Sequence, residues 1–189
     1  MKVIRTAIPD VLILRPDVFG DERGYFMESY NSRTFRELTG LDVLFVQDNE
    51  SRSSYGVLRG LHFQLGDHVQ SKLIRVVEGK VLDVAVDVRR GSPWFGSHVA
   101  IELSAESHDQ VFIPKGFAHG FCVLSESALF QYKCDAFYAP GHEGGIAWDD
   151  PDIGIDWRIP ASDVKLSAKD MLNGRLCECE PSKLFEYGI

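Results

Sequence analysis

No apolar stretch in this chain of 189 residues approaches the roughly 20 residues that a bilayer-spanning helix needs. The longest, such as Val11–Leu14 and Val84–Val86, end after a few positions, so no transmembrane segment is expected. Basic charge is short as well: 20 Lys and Arg face 28 Asp and Glu, a net charge of −8 with a pI of about 5.2. That sign argues against partners such as nucleic acid or a membrane surface, and requires any anionic ligand to be small and held by a local basic cluster. Cysteine is scarce. Cys122, Cys134, Cys177 and Cys179 form no disulfide framework, which predicts a reduced, cytoplasmic protein. Met1-Lys2-Val3-Ile4-Arg5 starts with a positive charge, but Arg5, Pro9 and Asp10 interrupt it before an apolar core can form, so no signal peptide is expected. G-x-G-x-x-G, P-loop and G-x-S-x-G motifs are also missing, which removes the local chemistry of dinucleotide oxidoreductases, NTPases and serine hydrolases.

What is present is ordinary globular material, 44% hydrophobic and 25% charged, long enough for one domain spanning 1–189. Helical signals are few: Ser32–Leu38, with a Ser cap and Gly40 as a stop, and a short segment Ser167–Leu172. Strand patterns dominate. Lys72–Val77 and Val81–Val88 read as a hairpin joined by Glu78-Gly79-Lys80, the second alternating an apolar face with a mixed one. Further strands are expected at Val11–Leu14, Gly24–Tyr30, Val43–Asn49, Val57–Gln64, Val99–Leu103, Gln110–Ile113, Gly120–Leu124, Ala128–Asp135 and Gly145–Trp148. Many short strands with Gly-rich turns predict an all-β sandwich, jelly roll or barrel, whose interior can hold a ligand.

Within Arg59-Gly60-Leu61-His62-Phe63-Gln64, strand alternation puts Gly60, His62 and Gln64 on one side and Arg59, Leu61 and Phe63 on the other. A histidine between Gly and Gln is unusual for a core. It is either a buried, hydrogen-bonded residue or a catalytic one. Phe130, Tyr132 and Cys134 share a face, where Tyr132 reads equally as core with a satisfied hydroxyl. Lys72, at a strand start, reads as a lysine reaching solvent. Cys177-Glu178-Cys179 lacks partner ligands and reads as tail.

The histidines also resemble, in part, the two metal motifs of cupins, G-x5-H-x-H-x3,4-E-x6-G and P-x-G-x2-H-x3-N. Gly56-x5-His62 and Pro114-Lys115-Gly116-x2-His119 fit, but Gln64 replaces the second histidine, His68 or Val69 stands at the Glu position, and Val123 replaces Asn. Two imidazoles fall short of the usual three or four ligands, so no metal is expected.

Together, His62, Lys72, His119 and Tyr132 and the blocks around them resemble the dTDP-4-dehydrorhamnose 3,5-epimerase family of cupins. These blocks are Phe19-Gly20-Asp21-Glu22-Arg23-Gly24-Tyr25-Phe26, Phe45-Val46-Gln47-Asp48-Asn49, Val57–Gln64 and Ile113-Pro114-Lys115-Gly116-Phe117-Ala118-His119-Gly120-Phe121. The resemblance runs from Thr6 to Asp170 and is shared by relatives that epimerise a single carbon. It implies a cupin-type jelly roll (a double-stranded β-helix), no cofactor, a dTDP-sugar substrate and a homodimer with shared active sites. It also implies His62 as base, Tyr132 as acid, Lys72 beside the developing oxyanion and Asp170 orienting His62. Ser167-x-x-Asp170 is equally a capping box, which accounts for the Asp without catalysis. The same resemblance assigns Arg23 and Arg59 to the diphosphate, Gln47 and Asn49 to ribose and base, and Glu28 to the nucleotide. Tyr138 is assigned to stack on thymine, and His119, Glu143 and Lys169 to the remaining substrate contacts. Arg23 and Glu28 read otherwise as a solvated surface pair.

Overall fold

The computed structural model describes residues 1–188. Strands β1 (Lys2–Arg5), β2 (Leu12–Arg15), β3 (Val18–Asp21) and β4 (Gly24–Met27) precede the helix α1 (Ser32–Thr39). The body follows as β5 (Gln47–Ser54), β6 (Leu58–Gln64), β7 (Lys72–Glu78), β8 (Lys80–Asp87), β9 (Arg89–Arg90) and β10 (His98–Ser104). It closes with β11 (Gln110–Ile113), β12 (Phe117–Val123), β13 (Ser127–Cys134), β14 (Glu143–Gly145) and β15 (Phe185–Glu186). A six-stranded sheet of order β1-β2-β11-β7-β13-β5 faces a five-stranded sheet of order β10-β8-β12-β6-β14, the two-layer cupin jelly roll that the resemblance implied and one of the all-β alternatives that the strand pattern left open.

The expected hairpin of β7 and β8 does not form: β7 pairs with β11 and β13, while β8 pairs with β10 and β12 in the other sheet. Glu78-Gly79-Lys80 is instead a corner that carries the chain from one layer to the next. Gly79 makes this turn at φ +76°, and a Cβ there would fall 2.0 Å from the Ser127 carbonyl oxygen. Both faces of β8 are buried, the mixed one included, because Val81 and Ala85 pack between the sheets while Leu82, Val84 and Val86 lie under the C-terminal segment. The acids of β8 are satisfied internally: Asp87 accepts from Arg89 and Ser92, and Asp83 from His119.

Between the sheets lie Ile74, Val76, Val81, Ala85, Val111, Phe121 and Phe130. The outer face of the five-stranded sheet is covered by the C-terminal third of the chain, where Ile153, Trp157 and Leu176 pack on Leu61, Val84 and Val86. On the other layer Phe35 of α1 packs with Leu12, Leu14, Leu73 and Phe112. Each such buried side chain contributes about 1.5–3 kcal/mol by leaving water.

The cap of α1 is Asn31, one residue before the expected serine: its Oδ1 accepts from the Arg33 and Thr34 amides, and Gly40 ends the helix at φ +73°. The strand expected over Val43–Asn49 starts at Gln47 and continues to Ser54, while Val43 and Phe45 pack beside α1. Ser167–Leu172 contains only the 3₁₀ turn Asp170–Leu172. No helix among the described residues is long and apolar enough to cross a membrane.

Candidate active site

Strands β6, β7, β12 and β13 and the segment Lys165–Asp170 enclose a cavity of about 480 Å³. It brings together seven of the residues singled out from sequence: Arg59, His62, Lys72, His119, Tyr132, Lys169 and Asp170. The alternation rule had separated Arg59 from His62. The ladder explains why both reach the cavity: His119 pairs with His62 and Phe121 with Arg59, so three steps on β6 oppose two on β12. This bulge restores Arg59 to the side of His62. The backbones are close enough here that a Cβ on Gly60, at φ +132°, would lie 2.4 Å from Gly120 Cα.

His62 and Asp170 meet at 2.5 Å between Nε2 and Oδ1. A carboxylate only accepts, so Nε2 carries the hydrogen and Nδ1 the basic lone pair. Asp170 Oδ2 accepts from the Ser167 hydroxyl at 2.8 Å, and Ser167 Oγ accepts the Asp170 amide. The Ser167 hydroxyl and the histidine therefore share the carboxylate, one on each oxygen, while the reciprocal bond that would complete the expected capping box does not form. Burial pulls the His62 imidazole below its usual range; the Asp170 carboxylate opposes this, and the charges of Lys72 and Lys169 add to the lowering. An NMR titration should find His62 half-protonated below pH 6.5. In Asp170→Asn the midpoint should move lower still, since the lost carboxylate favoured the proton. A midpoint that rises in the variant would contradict this electrostatic role.

A second pair lies deeper, with His119 Nε2 donating to Asp83 Oδ2 at 2.8 Å. Asp83 was not singled out from sequence, although an acid inside an apolar strand was the available signal. Burial lowers the Lys72 ammonium below the usual lysine range, opposed by Asp83 and Cys134. Lys72 Nζ lies 5.9 Å from the Tyr132 ring centroid, and burial raises the Tyr132 phenol. Phe121 and Phe130, stacked at 3.9 Å between centroids, form an apolar wall that the sequence reading did not identify.

The remaining expected residues lie outside this cavity. Gln47 donates from its amide to Asn49 Oδ1 at 2.9 Å and accepts the Tyr138 N–H at 2.9 Å. Asn49 donates to Cys134 Sγ at 3.7 Å. Glu143 forms an ion pair with Lys169, which with the nearby Tyr138 holds its carboxyl below the usual range. Arg23 sits on the β3–β4 hairpin, paired with Asp21 rather than with Glu28, which accepts from Asn31 at 3.0 Å. No group of three or more His, Cys, Asp or Glu with metal-binding geometry occurs among the described residues.

The model of a protein family described as dTDP-4-dehydrorhamnose 3,5-epimerase matches residues 5–178. A dTDP-4-dehydrorhamnose 3,5-epimerase of Salmonella typhimurium is 60% identical over 171 residues, which are 90% of this chain and 92% of that protein. The crystal structure of a dTDP-6-deoxy-D-glucose-3,5-epimerase from Legionella pneumophila in complex with dTDP-4-keto-L-rhamnose superposes with a TM-score of 0.96. It is 47% identical, and 100% of this chain and 99% of that one are covered. A 3'-monoepimerase from Streptomyces bikiniensis, solved with dTDP-quinovose, gives a TM-score of 0.89 at 33% identity, with 99% and 93% covered.

Proposed function

The chain belongs to the dTDP-4-dehydrorhamnose 3,5-epimerase family, and from that premise we propose how its residues divide the reaction. The enzyme inverts C3 and C5 of dTDP-4-dehydro-6-deoxy-D-glucose to give dTDP-4-dehydro-L-rhamnose. The 4-keto group acidifies the hydrogens on both neighbouring carbons. A base removes each in turn, an enolate forms, and a proton returned from the opposite face inverts the centre.

One observation carries the assignment: His62 and Tyr132 stand on different sheets, β6 and β13, and line the same cavity. A sugar between them meets a base on one side and an acid on the other. His62 accepts the carbon-bound proton on its free ring nitrogen, and Asp170 stabilises the resulting imidazolium. Tyr132, kept protonated by burial, delivers the new proton. Lys72 balances the charge that develops on the C4 oxygen. No cofactor enters this scheme.

Arg59 at the cavity suits the diphosphate, for which a guanidinium fork is well shaped. His119, Lys169 and Glu143 contact the sugar, Tyr138 stacks on thymine, and Asn49 and Gln47 lie on the nucleotide side. Arg23 and Glu28 act in a homodimer, reaching the partner's site. The β3–β4 hairpin supports this, because its Phe19, Tyr25 and Phe26 are 66%, 61% and 70% exposed and pack into no core of their own chain. The free thiols, of which Cys122 and Cys134 are buried, fit a cytoplasmic site of action.

Proton NMR of dTDP-4-dehydro-6-deoxy-D-glucose with the protein in deuterated buffer tests the reading. Deuterium should enter at both C3 and C5. Entry at one carbon alone would indicate a mono-epimerase, and entry at neither a nucleotide-sugar-binding protein without catalysis. Tyr132→Phe should still lose its C–H hydrogens to solvent while inversion slows by about 10²-fold or more; unimpaired inversion would remove Tyr132 from the acid role.

A further inference from the structure

The segment between β13 and β14, residues 135–142, has no strand pairing of its own, yet its backbone is fastened from three directions. The Tyr138 N–H is held by Gln47 of β5, and the next N–H, that of Ala139, donates to Gln64 Oε1 of β6 at 2.8 Å. Gln70 Nε2 donates to the Ala136 carbonyl at 2.8 Å. Two consecutive amides are thus tied to different sheets, which fixes the direction in which Tyr138 projects between them. Gln64 is 6% exposed, and its oxygen is committed to the loop. This is the position where metal-binding cupins place a histidine; here it serves the loop.

We propose that Gln64 is a positioning residue for nucleotide binding, acting through Ala139 to set the placement of Tyr138. The proposal rests on the reading of Tyr138 as the residue that stacks on the base. Gln64 touches neither substrate nor the reacting atoms in this scheme. Although it lies two residues from His62, its influence falls on binding and not on proton transfer.

The test is steady-state kinetics with the dTDP-sugar for Gln64→Leu, alone and combined with Tyr138→Ala. Losing a buried acceptor should raise KM about tenfold with kcat within about threefold, and the increase should vanish in the Tyr138→Ala background. Gln64→Glu, which keeps an acceptor oxygen, should restore KM to within about threefold. Gln64→Asn, which withdraws the oxygen by one methylene, should reproduce the rise in KM and carries the test if the leucine variant does not fold. An unchanged KM, a fall in kcat at constant KM, or a full further rise in KM on top of Tyr138→Ala would overturn the proposal. Tyr138→Ala alone leaving KM unchanged would overturn the base-stacking reading, and the proposal with it.

Discussion

His62→Ala should abolish solvent exchange at both C3 and C5, slowing turnover by about 10³–10⁴-fold while dTDP affinity stays within a few fold. The size follows from the site having two imidazoles of which only His62 is open enough to take up a proton from carbon. The His62 side chain is 36% exposed at the cavity, whereas His119 is 7% exposed and its Asp83 is at 1%. Affinity should survive because the groups assigned to the nucleotide, Arg59 and Tyr138, keep their own supports. The fold should also survive. Asp170, 3% exposed, loses one hydrogen-bond partner but retains Ser167, at a cost of about 1–3 kcal/mol. Isotope exchange followed carbon by carbon makes the outcome specific: exchange that persists at one carbon only would transfer the base for that carbon to His119.

The layers of this fold were legible because the core strands carry their pattern in sequence. Gln110–Ile113 was read to the residue, and β6, β7, β8, β10 and β13 to within one residue at either end. What escaped has physical causes. β5 is the edge of its sheet and wholly polar, Gln-Asp-Asn-Glu-Ser-Arg-Ser-Ser, so hydrophobicity drew the reading toward Val43–Val46, of which Val43 and Phe45 pack beside the helix. The β7–β8 corner resembles a hairpin turn in any short window, and only the pairing of each strand with distant partners separates the two. The bulge opposite His119 likewise leaves no local mark, so the face of Arg59 could not be read from alternation. His62, Lys72, His119 and Tyr132 stood out in the sequence, but their roles, and the choice of Asp170, came from the resemblance; pattern alone left His62, Lys72, Tyr132 and Asp170 each with a structural explanation. For Asp170 only half of that explanation holds: the Asp170 amide donates to Ser167 Oγ, but its carboxylate takes the Ser167 hydroxyl and His62 in place of the Ser167 amide that a capping box would use. Asp83 was missed because its partner His119 lies 36 residues away, joined to it only when β8 and β12 pair.

Lys72→Met should lower kcat by about 10²–10³-fold and also move the acid limb of the pH–rate profile upward, and the pair of effects is more diagnostic than either alone. Methionine keeps the length of the side chain and removes its charge, so the enolate would form with no cation near the C4 oxygen; one such donor in a dry site is worth about 3–4 kcal/mol. The same charge acts on both imidazoles, helping to lower His62 and His119. Without it His62 holds its proton more tightly, and the base becomes available only at higher pH. The direction is opposite to that expected for Asp170→Asn, in which a negative charge is lost. A variant that loses rate with no movement of the acid limb would place Lys72 near the substrate oxygen but away from His62. Movement of the limb with kcat unchanged would leave Lys72 as an electrostatic neighbour of the base and assign the oxyanion to another group of the cavity wall, which also carries Arg59, His119, Lys165 and Lys169.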